Sequence, residues 1–279
     1  MKRSILILSF FLFTTLLIGQ NSNSKPLTIG TIEEIQSEIL NEKRTLNIYL
    51  PTYFDENKKY PVIYVLDGGL DEEFIHIAGL VQFYNLPWVA MVEESIVVGI
   101  ENVDRRRDFT FPTTVAIDKK ASPTSGHSDK FIAYLEKEVQ PFIESKFKTT
   151  DSKTIIGQSL AGLLAAEVLI KKPTLFDKYI IVSASLWWDN GSLMEYKSEI
   201  YKSSFKQATK VYIGVGKEGL APTEQPHVME VDANVFADKL KRSKSKNLQV
   251  TFDYLPMDDH ATTLHQAISN AFRLFYKMK

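Results

Sequence analysis

Residues 154–162 constrain the fold of this chain more than any other segment. An apolar, β-branched run ends in Gly157, one spacer residue precedes Ser159, and a helix-forming run covers residues 163–170. This pattern is typical of a nucleophile elbow, a sharp strand-to-helix turn that holds a serine hydroxyl clear of the backbone. The residues two before and two after the serine must be small, and here they are Gly157 and Ala161. The alternative is that Ser159 only caps a helix.

Segments with strand patterns alternate with helix patterns along the rest of the chain. The expected strands cover residues 29–40, 44–50, 61–66, 95–100, 179–182, 211–215 and 248–255, the first two forming a hairpin around a turn at 41–43. Two further helices are expected over residues 131–147, where Pro141 can introduce a kink, and 262–276. Such alternation predicts an α/β fold, with a mostly parallel central sheet and helices on both faces.

Composition narrows the class of protein. The chain has 279 residues and a formal net charge of −1, so it lacks the basic excess that nucleic-acid binding needs. It contains no cysteine, which excludes disulfides, thiolate metal sites and a cysteine nucleophile. We find no metal-ligand spacing, dinucleotide fingerprint or phosphate loop, and we therefore expect no cofactor.

The first residues have the pattern of an export signal. Lys2 and Arg3 precede an apolar run over residues 5–18, and a polar stretch begins at Gln20. This predicts a signal peptide over residues 1–19, a single domain over residues 20–279, and a periplasmic or extracellular location. The alternative is an uncleaved anchor, although the run is shorter than the roughly 20 apolar residues of a membrane span.

A serine nucleophile needs a base, and His260 is the best placed of five histidines. It follows the last expected strand, which is where the base falls in the order serine, acid, histidine. The other histidines precede the serine or lie in a loop or inside the last helix: His76, His127, His227 and His265.

The acid that orients the base should follow the strand over residues 211–215, and Glu218 is the prediction there. Other acidic residues remain open as alternatives: Glu224, Asp232, Asp258 and Asp259. A serine–histidine pair without an acid is also possible.

Charge on the acyl oxygen needs preorganised donors. The N–H of Leu160, next to the serine, is one candidate, and the N–H of Gly69, after the strand at 61–66, is the other. The alternative is that residues 67–70 form a tight turn that contacts no ligand.

In these features the chain resembles a known family, the esterase D-like branch of the α/β-hydrolases. That branch includes siderophore esterases, feruloyl esterases, S-formylglutathione hydrolases and mycolyltransferases. The stretches that carry the resemblance are residues 60–68, 97–102, 105–109, 157–162, 183–189 and 259–260. The resemblance implies an α/β-hydrolase fold with Ser159 as nucleophile and His260 as base, and it implies ester substrates such as siderophore lactones or feruloyl esters.

Four residues are expected to line the substrate site. Arg107 and Phe109 belong to a long connection over residues 101–128, and connections of that length are often binding loops. Trp187 and Trp188 end a strand at the catalytic edge of the sheet. The alternatives are a solvated charge cluster for the arginine and packing against the sheet edge for the tryptophans.

These observations together predict an exported serine esterase acting on a small-molecule ester. An acyltransferase on the same fold is a second possibility, in which an alcohol replaces water. A third is a ligand-binding protein that kept the fold without the activity, because function depends on the site rather than on the fold.

Overall fold

A computed structural model describes residues 24–276, and within them eight strands form one sheet. The strands are β1 (Thr31–Ser37), β2 (Glu42–Tyr49), β3 (Tyr60–Leu66), β4 (Ile96–Ile100), β5 (Thr149–Gln158), β6 (Lys178–Val182), β7 (Thr209–Gly216) and β8 (Leu248–Leu255). Their order across the sheet is β1-β2-β4-β3-β5-β6-β7-β8. The predicted signal peptide lies outside the described residues.

Only the first two strands break the parallel arrangement. β1 is antiparallel to β2, and β2 is antiparallel to β4. The other pairs in the sheet are parallel. β3 is buried along its whole length, as expected for a parallel strand covered on both faces. The prediction of a mostly parallel sheet is therefore confirmed.

Helices cover both faces of this sheet. They are α1 (Phe74–Asn85), α2 (Arg105–Phe109), α3 (Ala116–Ala121), α4 (Ser128–Tyr134), α5 (Gln140–Lys146), α6 (Leu160–Lys171), α7 (Trp188–Gly191), α8 (Met229–Lys241) and α9 (Thr263–Phe275). Ile77 of α1 and Phe272 of α9 belong to one buried cluster, whereas Phe131 of α4, Leu164 of α6 and Phe236 of α8 belong to the other. No helix within residues 24–276 is long and apolar enough to span a bilayer.

The helix expected over residues 131–147 is interrupted rather than simply kinked. A π-helical turn, Leu135–Val139, joins α4 to α5, and Pro141 lies in the first turn of α5. Proline has no N–H to donate, and its ring crowds the carbonyl four residues earlier. A widened turn at this point lets the chain continue in helical form.

Two other regions differ from the prediction. The hairpin turn lies before residue 42 rather than at 41–43, because Asn41 takes a positive φ of 54° and β2 already begins at Glu42. α1 and α8 are helices that the sequence analysis did not predict. Each also exposes apolar side chains, Ile75 and Phe83 in α1 and Val231 and Val235 in α8, which blurs the separation of apolar and polar faces on which a helix prediction depends.

Candidate active site

Three side chains that the sequence singles out meet at the carboxyl edge of the sheet. Ser159 follows β5, Glu218 follows β7, and His260 follows β8. Because β5 to β8 are parallel neighbours, the ends of these strands open on the same edge. Ser159 and His260 line one cavity of about 420 Å³, and the His260 ring contacts Glu218.

The serine lies in a strained turn of the kind that an elbow requires. Ser159 has φ 60° and ψ −121°, in the left-handed half of conformational space. A Cβ added to Gly157 would lie 2.3 Å from the carbonyl oxygen of Ala161, so the glycine is required. The Ser159 N–H donates to Val182 at 3.0 Å, and its carbonyl accepts from Ser185 at 3.0 Å. Backbone bonds to the loop after β6 therefore hold the strained residue.

Glu218 is held by three hydrogen bonds that all end on its carboxylate. His260 Nδ1 lies 2.6 Å from Oε2. The hydroxyl of Ser183 donates to Oε1 at 2.5 Å, and the N–H of Gly216 donates to the same oxygen at 3.2 Å. The Glu218 side chain is 3 % exposed and the His260 side chain 49 % exposed, so a buried carboxylate contacts an imidazole ring that is open to solvent.

Two opposing effects act on the Glu218 carboxyl. Burial raises its pKa, whereas the hydrogen bonds from His260 and Ser183 lower it, and the net pKa lies below the usual value. A carboxylate can only accept hydrogen bonds, so this contact requires a proton on Nδ1 of His260. Nε2 of the neutral ring is then free to take a proton, as a general base must.

Among the described residues, none of the other acidic candidates hydrogen-bonds the His260 ring. Asp232 contacts His227 Nδ1 at 2.8 Å. The Asp259 carboxylate accepts from two N–H groups just before α9, and the Asp258 carbonyl accepts a backbone N–H. Glu224 is exposed. Within residues 24–276, the carboxylate bonded to the histidine of the cavity is the one predicted from the sequence.

The loop that carries His260 is hydrogen-bonded to the strand that precedes Ser159 and to the loop that carries Glu218. The side-chain amide of Gln158, the residue before the serine, donates to the His260 carbonyl. The Lys217 N–H donates to the Asp258 carbonyl at 2.7 Å. The positions of base, acid and serine thus depend on one another through short polar contacts.

The two predicted oxyanion donors differ in whether the N–H already has a hydrogen-bond acceptor. Leu160 is the first residue of α6, so its N–H has no acceptor within the helix, and the helix dipole favours negative charge there. The Gly69 N–H donates to Oε2 of Glu72 at 2.8 Å. A Cβ on Gly68 would lie 2.2 Å from the backbone N of Ile100, so packing against β4 accounts for that glycine. Gly69 becomes available only when Glu72 moves away.

A charged network ties the loop after β3 to the loop after β4. Asp67 has a positive φ of 53° and accepts from Arg105 Nε at 2.7 Å and Nη2 at 2.8 Å. The Asn102 amide donates to Asp67 and to Glu72, both at 2.6 Å. Arg105 also reaches the Gln158 carbonyl at 3.3 Å. This network fixes one wall of the cavity against the elbow.

Two of the predicted aromatic contacts are wrong. Phe109 is fully buried, and Trp188 is 2 % exposed with its indole N–H donating to the Phe111 carbonyl at 2.8 Å. Neither ring can reach a substrate, because each packs inside the core. Trp187 keeps a partly exposed surface and lies two residues after Ser185, which is bonded to the serine turn.

Arg107 does not line the cavity. It lies 3.0 Å from Glu42 and 2.7 Å from Asp108, and its hydrogen bonds to Asp108 and Glu42 raise its pKa. Arg105 lines the cavity instead, together with Glu72 and other acidic residues. The sequence offers three consecutive arginines, and only the turn of α2 decides which one faces Ser159.

Sequence reasoning also missed the acidic side of the cavity. Asp67, Glu72 and Glu73 all lie on its wall. The available signal was their position between β3 and α1, because the loop that follows a parallel strand lies at the carboxyl edge of the sheet.

Comparison with protein families matches residues 37–269 to the family described as "Putative esterase". Among characterised proteins, the ferri-bacillibactin esterase BesA of Bacillus subtilis is 28% identical over 279 aligned positions, covering 91% of this chain and 92% of BesA.

Solved structures give the same result. An IroE-like serine hydrolase from Shewanella oneidensis is 29% identical with a TM-score of 0.77, covering 89% of this chain and 80% of that one. The BES protein of Bacillus cereus is 25% identical with a TM-score of 0.79, covering 91% of this chain and 98% of that one. The chain thus belongs to this esterase family, as a carboxylic-ester hydrolase with the α/β-hydrolase fold.

Proposed function

We propose that the protein is a serine esterase in which Ser159 is the nucleophile, His260 the base and Glu218 the acid. The observation that carries the proposal is the 2.6 Å contact between His260 Nδ1 and Glu218 Oε2, made by a ring that shares a cavity with Ser159. A serine hydroxyl is a weak nucleophile on its own and is activated by such an oriented base.

The reaction runs in two halves. First, His260 Nε2 takes the Ser159 proton while Oγ bonds to the ester carbonyl carbon. The bond to the alcohol oxygen then breaks, and His260 returns the proton to that oxygen. In the second half, water gives a proton to His260 and its oxygen bonds to the acyl carbon. The Ser159–acyl bond breaks, and the proton returns to Oγ. Glu218 stays ionised and stabilises the imidazolium throughout.

The negative charge on the acyl oxygen is placed at the start of α6. The Leu160 N–H is one donor in this proposal. The Gly69 N–H is the second, once the Glu72 carboxylate has left it. A preorganised donor such as the Leu160 N–H is worth about 10²- to 10³-fold in turnover.

For substrate and location, we propose siderophore-type esters and an exported enzyme. The similarity to a ferri-bacillibactin esterase supports the first, because the match spans nearly the whole of both chains. The basic and apolar pattern of residues 1–19 supports the second. Cell fractionation of the full chain, beside a chain without residues 2–19, tests the location, since only the full chain should leave the cytoplasm.

The test of the esterase mechanism uses a fluorophosphonate probe and a short-chain p-nitrophenyl ester. Ser159→Ala should abolish both labelling and hydrolysis, whereas Ser203→Ala, a change at an exposed serine, should alter neither. Labelling that persists in folded Ser159→Ala protein would contradict the assignment of the nucleophile.

A further inference from the structure

Charge is distributed unevenly around Ser159. The residues that share its cavity are Asp67, Glu72, Glu73, Arg105, Gln158, His260 and Ala261. Three carboxylates therefore face a single guanidinium. What that balance does to a substrate depends on which of these charges are already paired.

The guanidinium is already paired with a carboxylate of the protein. Arg105 binds Asp67 through two nitrogens at 2.7 and 2.8 Å, and one of them also reaches the Gln158 carbonyl at 3.3 Å. This two-point contact is the geometry in which an arginine holds a carboxylate most firmly. The charges of Arg105 and Asp67 therefore cancel, and the pair adds no net charge to this wall of the cavity.

The two remaining carboxylates are held by neutral partners. Glu72 accepts from the Gly69 N–H at 2.8 Å and from the Asn102 amide at 2.6 Å. Glu73 Oε2 lies 3.4 Å from Nδ1 of His76, whose Nε2 lies 2.9 Å from Nδ1 of His265. Two neutral imidazole rings satisfy both histidine contacts, so neither contact requires a cation. Glu72 and Glu73 thus leave two negative charges unbalanced beside the serine.

We propose that this cavity selects esters that are neutral or positively charged near the scissile bond, and discriminates against anionic esters. The inference rests on the proposed esterase function, because it concerns the substrate that Ser159 attacks. The oxyanion forms with every ester and so does not change their ranking. The ranking comes from the fixed charge of the substituent, which Glu72 and Glu73 attract or repel.

Three esters that differ only in charge test this selectivity. They are p-nitrophenyl esters of acyl chains of matched length, ending in a methyl group, a carboxylate or a trimethylammonium group. For the wild-type protein at low salt, we expect kcat/KM for the cationic ester to exceed that for the anionic ester by about tenfold or more. Because exposed charges are screened, the ratio should fall towards one in about 1 M salt, where the Debye length is about 3 Å.

Variants assign the effect to the cavity. Glu73→Gln should reduce the cation-to-anion ratio by about threefold to tenfold, the order expected for one partly hydrated unit charge several ångströms away. Glu73→Lys should bring the ratio below one. Glu56→Gln is the matched control, because it removes the same charge from an exposed residue before β3, at the opposite edge of the sheet.

The outcomes separate this inference from the proposed function. Hydrolysis of all three esters at equal rates by wild-type protein would overturn the charge selectivity and leave the esterase standing. A ratio unchanged by Glu73→Lys would also overturn it. Failure to hydrolyse any of the three would overturn both. The salt titration needs no variant, so it decides the matter even if a substitution prevents folding.

Discussion

Replacing Glu218 by glutamine tests the site sharply, because the amide can make only some of the carboxylate's hydrogen bonds. One carboxylate oxygen accepts from the Gly216 N–H and the Ser183 hydroxyl, and the other contacts Nδ1 of His260. A backbone N–H can only donate, so the amide oxygen of glutamine must face Gly216. Its NH₂ group then faces His260, and Nδ1 has to accept from it.

That exchange moves the ring proton to the wrong nitrogen. With Nδ1 as acceptor, the proton of neutral His260 lies on Nε2, which can no longer take the proton of Ser159. The amide also provides no charge to stabilise the imidazolium. Triads lose about 10⁴-fold in kcat from this kind of change, so we expect about 10³- to 10⁴-fold here, or about 4 to 5.5 kcal/mol in the barrier.

The measurement is steady-state hydrolysis of a p-nitrophenyl ester, with thermal unfolding as the check on folding. KM should change little, because the Glu218 side chain is 3 % exposed and lies outside the cavity lining. Glu224→Gln is the matched control and should retain wild-type turnover, since Glu224 is exposed. Folded Glu218→Gln protein with kcat within about threefold of wild type would refute the assignment of the acid.

Three further predictions concern the hydrogen bond from Ser183 to Glu218, the protonation of Glu218 and the buried ion pair between Arg44 and Asp108. Ser183→Ala removes one hydrogen bond to Glu218 and should lower kcat by about tenfold with KM unchanged. Changes in both kcat and KM, together with a fall in thermal stability, would contradict this prediction. Glu218 has a lowered pKa, so it stabilises the fold above about pH 4.5, and this contribution is lost as the pH falls through the folded value. In urea titrations, the stability difference between wild type and Glu218→Gln should narrow below that pH, and a difference that widens there would be inconsistent. Arg44→Met leaves buried Asp108 with one partner fewer and should cost about 3 to 5 kcal/mol of unfolding free energy by urea denaturation, whereas exposed Arg106→Met should cost less than about 0.5 kcal/mol.

The placement of Ser159 and His260 at the ends of strands could be predicted from the sequence, because few residue types suit the proposed chemistry. Ser159 follows a strand, and the residues two positions before and after it are small, as the turn requires. His260 follows the last strand. Glu218 was harder, because four other carboxylates compete and only the folded loop shows which one contacts the ring. The parallel sheet was predictable as well, since strands buried on both faces are apolar throughout.

The walls of the cavity were not predictable in the same way. Arg105 and Arg107 are chemically identical, and their roles separate only through the direction that each takes from α2. Phe109 and Trp188 have the composition of a binding surface, yet packing assigns them to the core. Glu72 and Glu73 read as ordinary surface charges until the sheet edge brings them beside Ser159. Side-chain direction therefore limits the prediction of specificity more than it limits the prediction of chemistry.

The order of the strands also sets when the site can first work during synthesis. β5 leads to Ser159, the proposed nucleophile, near the middle of the sheet, and β6, β7 and β8 lie to one side of it in the order in which the ribosome makes them. Glu218 arrives with β7, and His260 arrives only after β8. A nascent chain that has emerged only as far as Glu218 contains the proposed nucleophile and acid but not the proposed base. The proposed catalytic site is therefore incomplete until the part of the chain that follows β8 has been made.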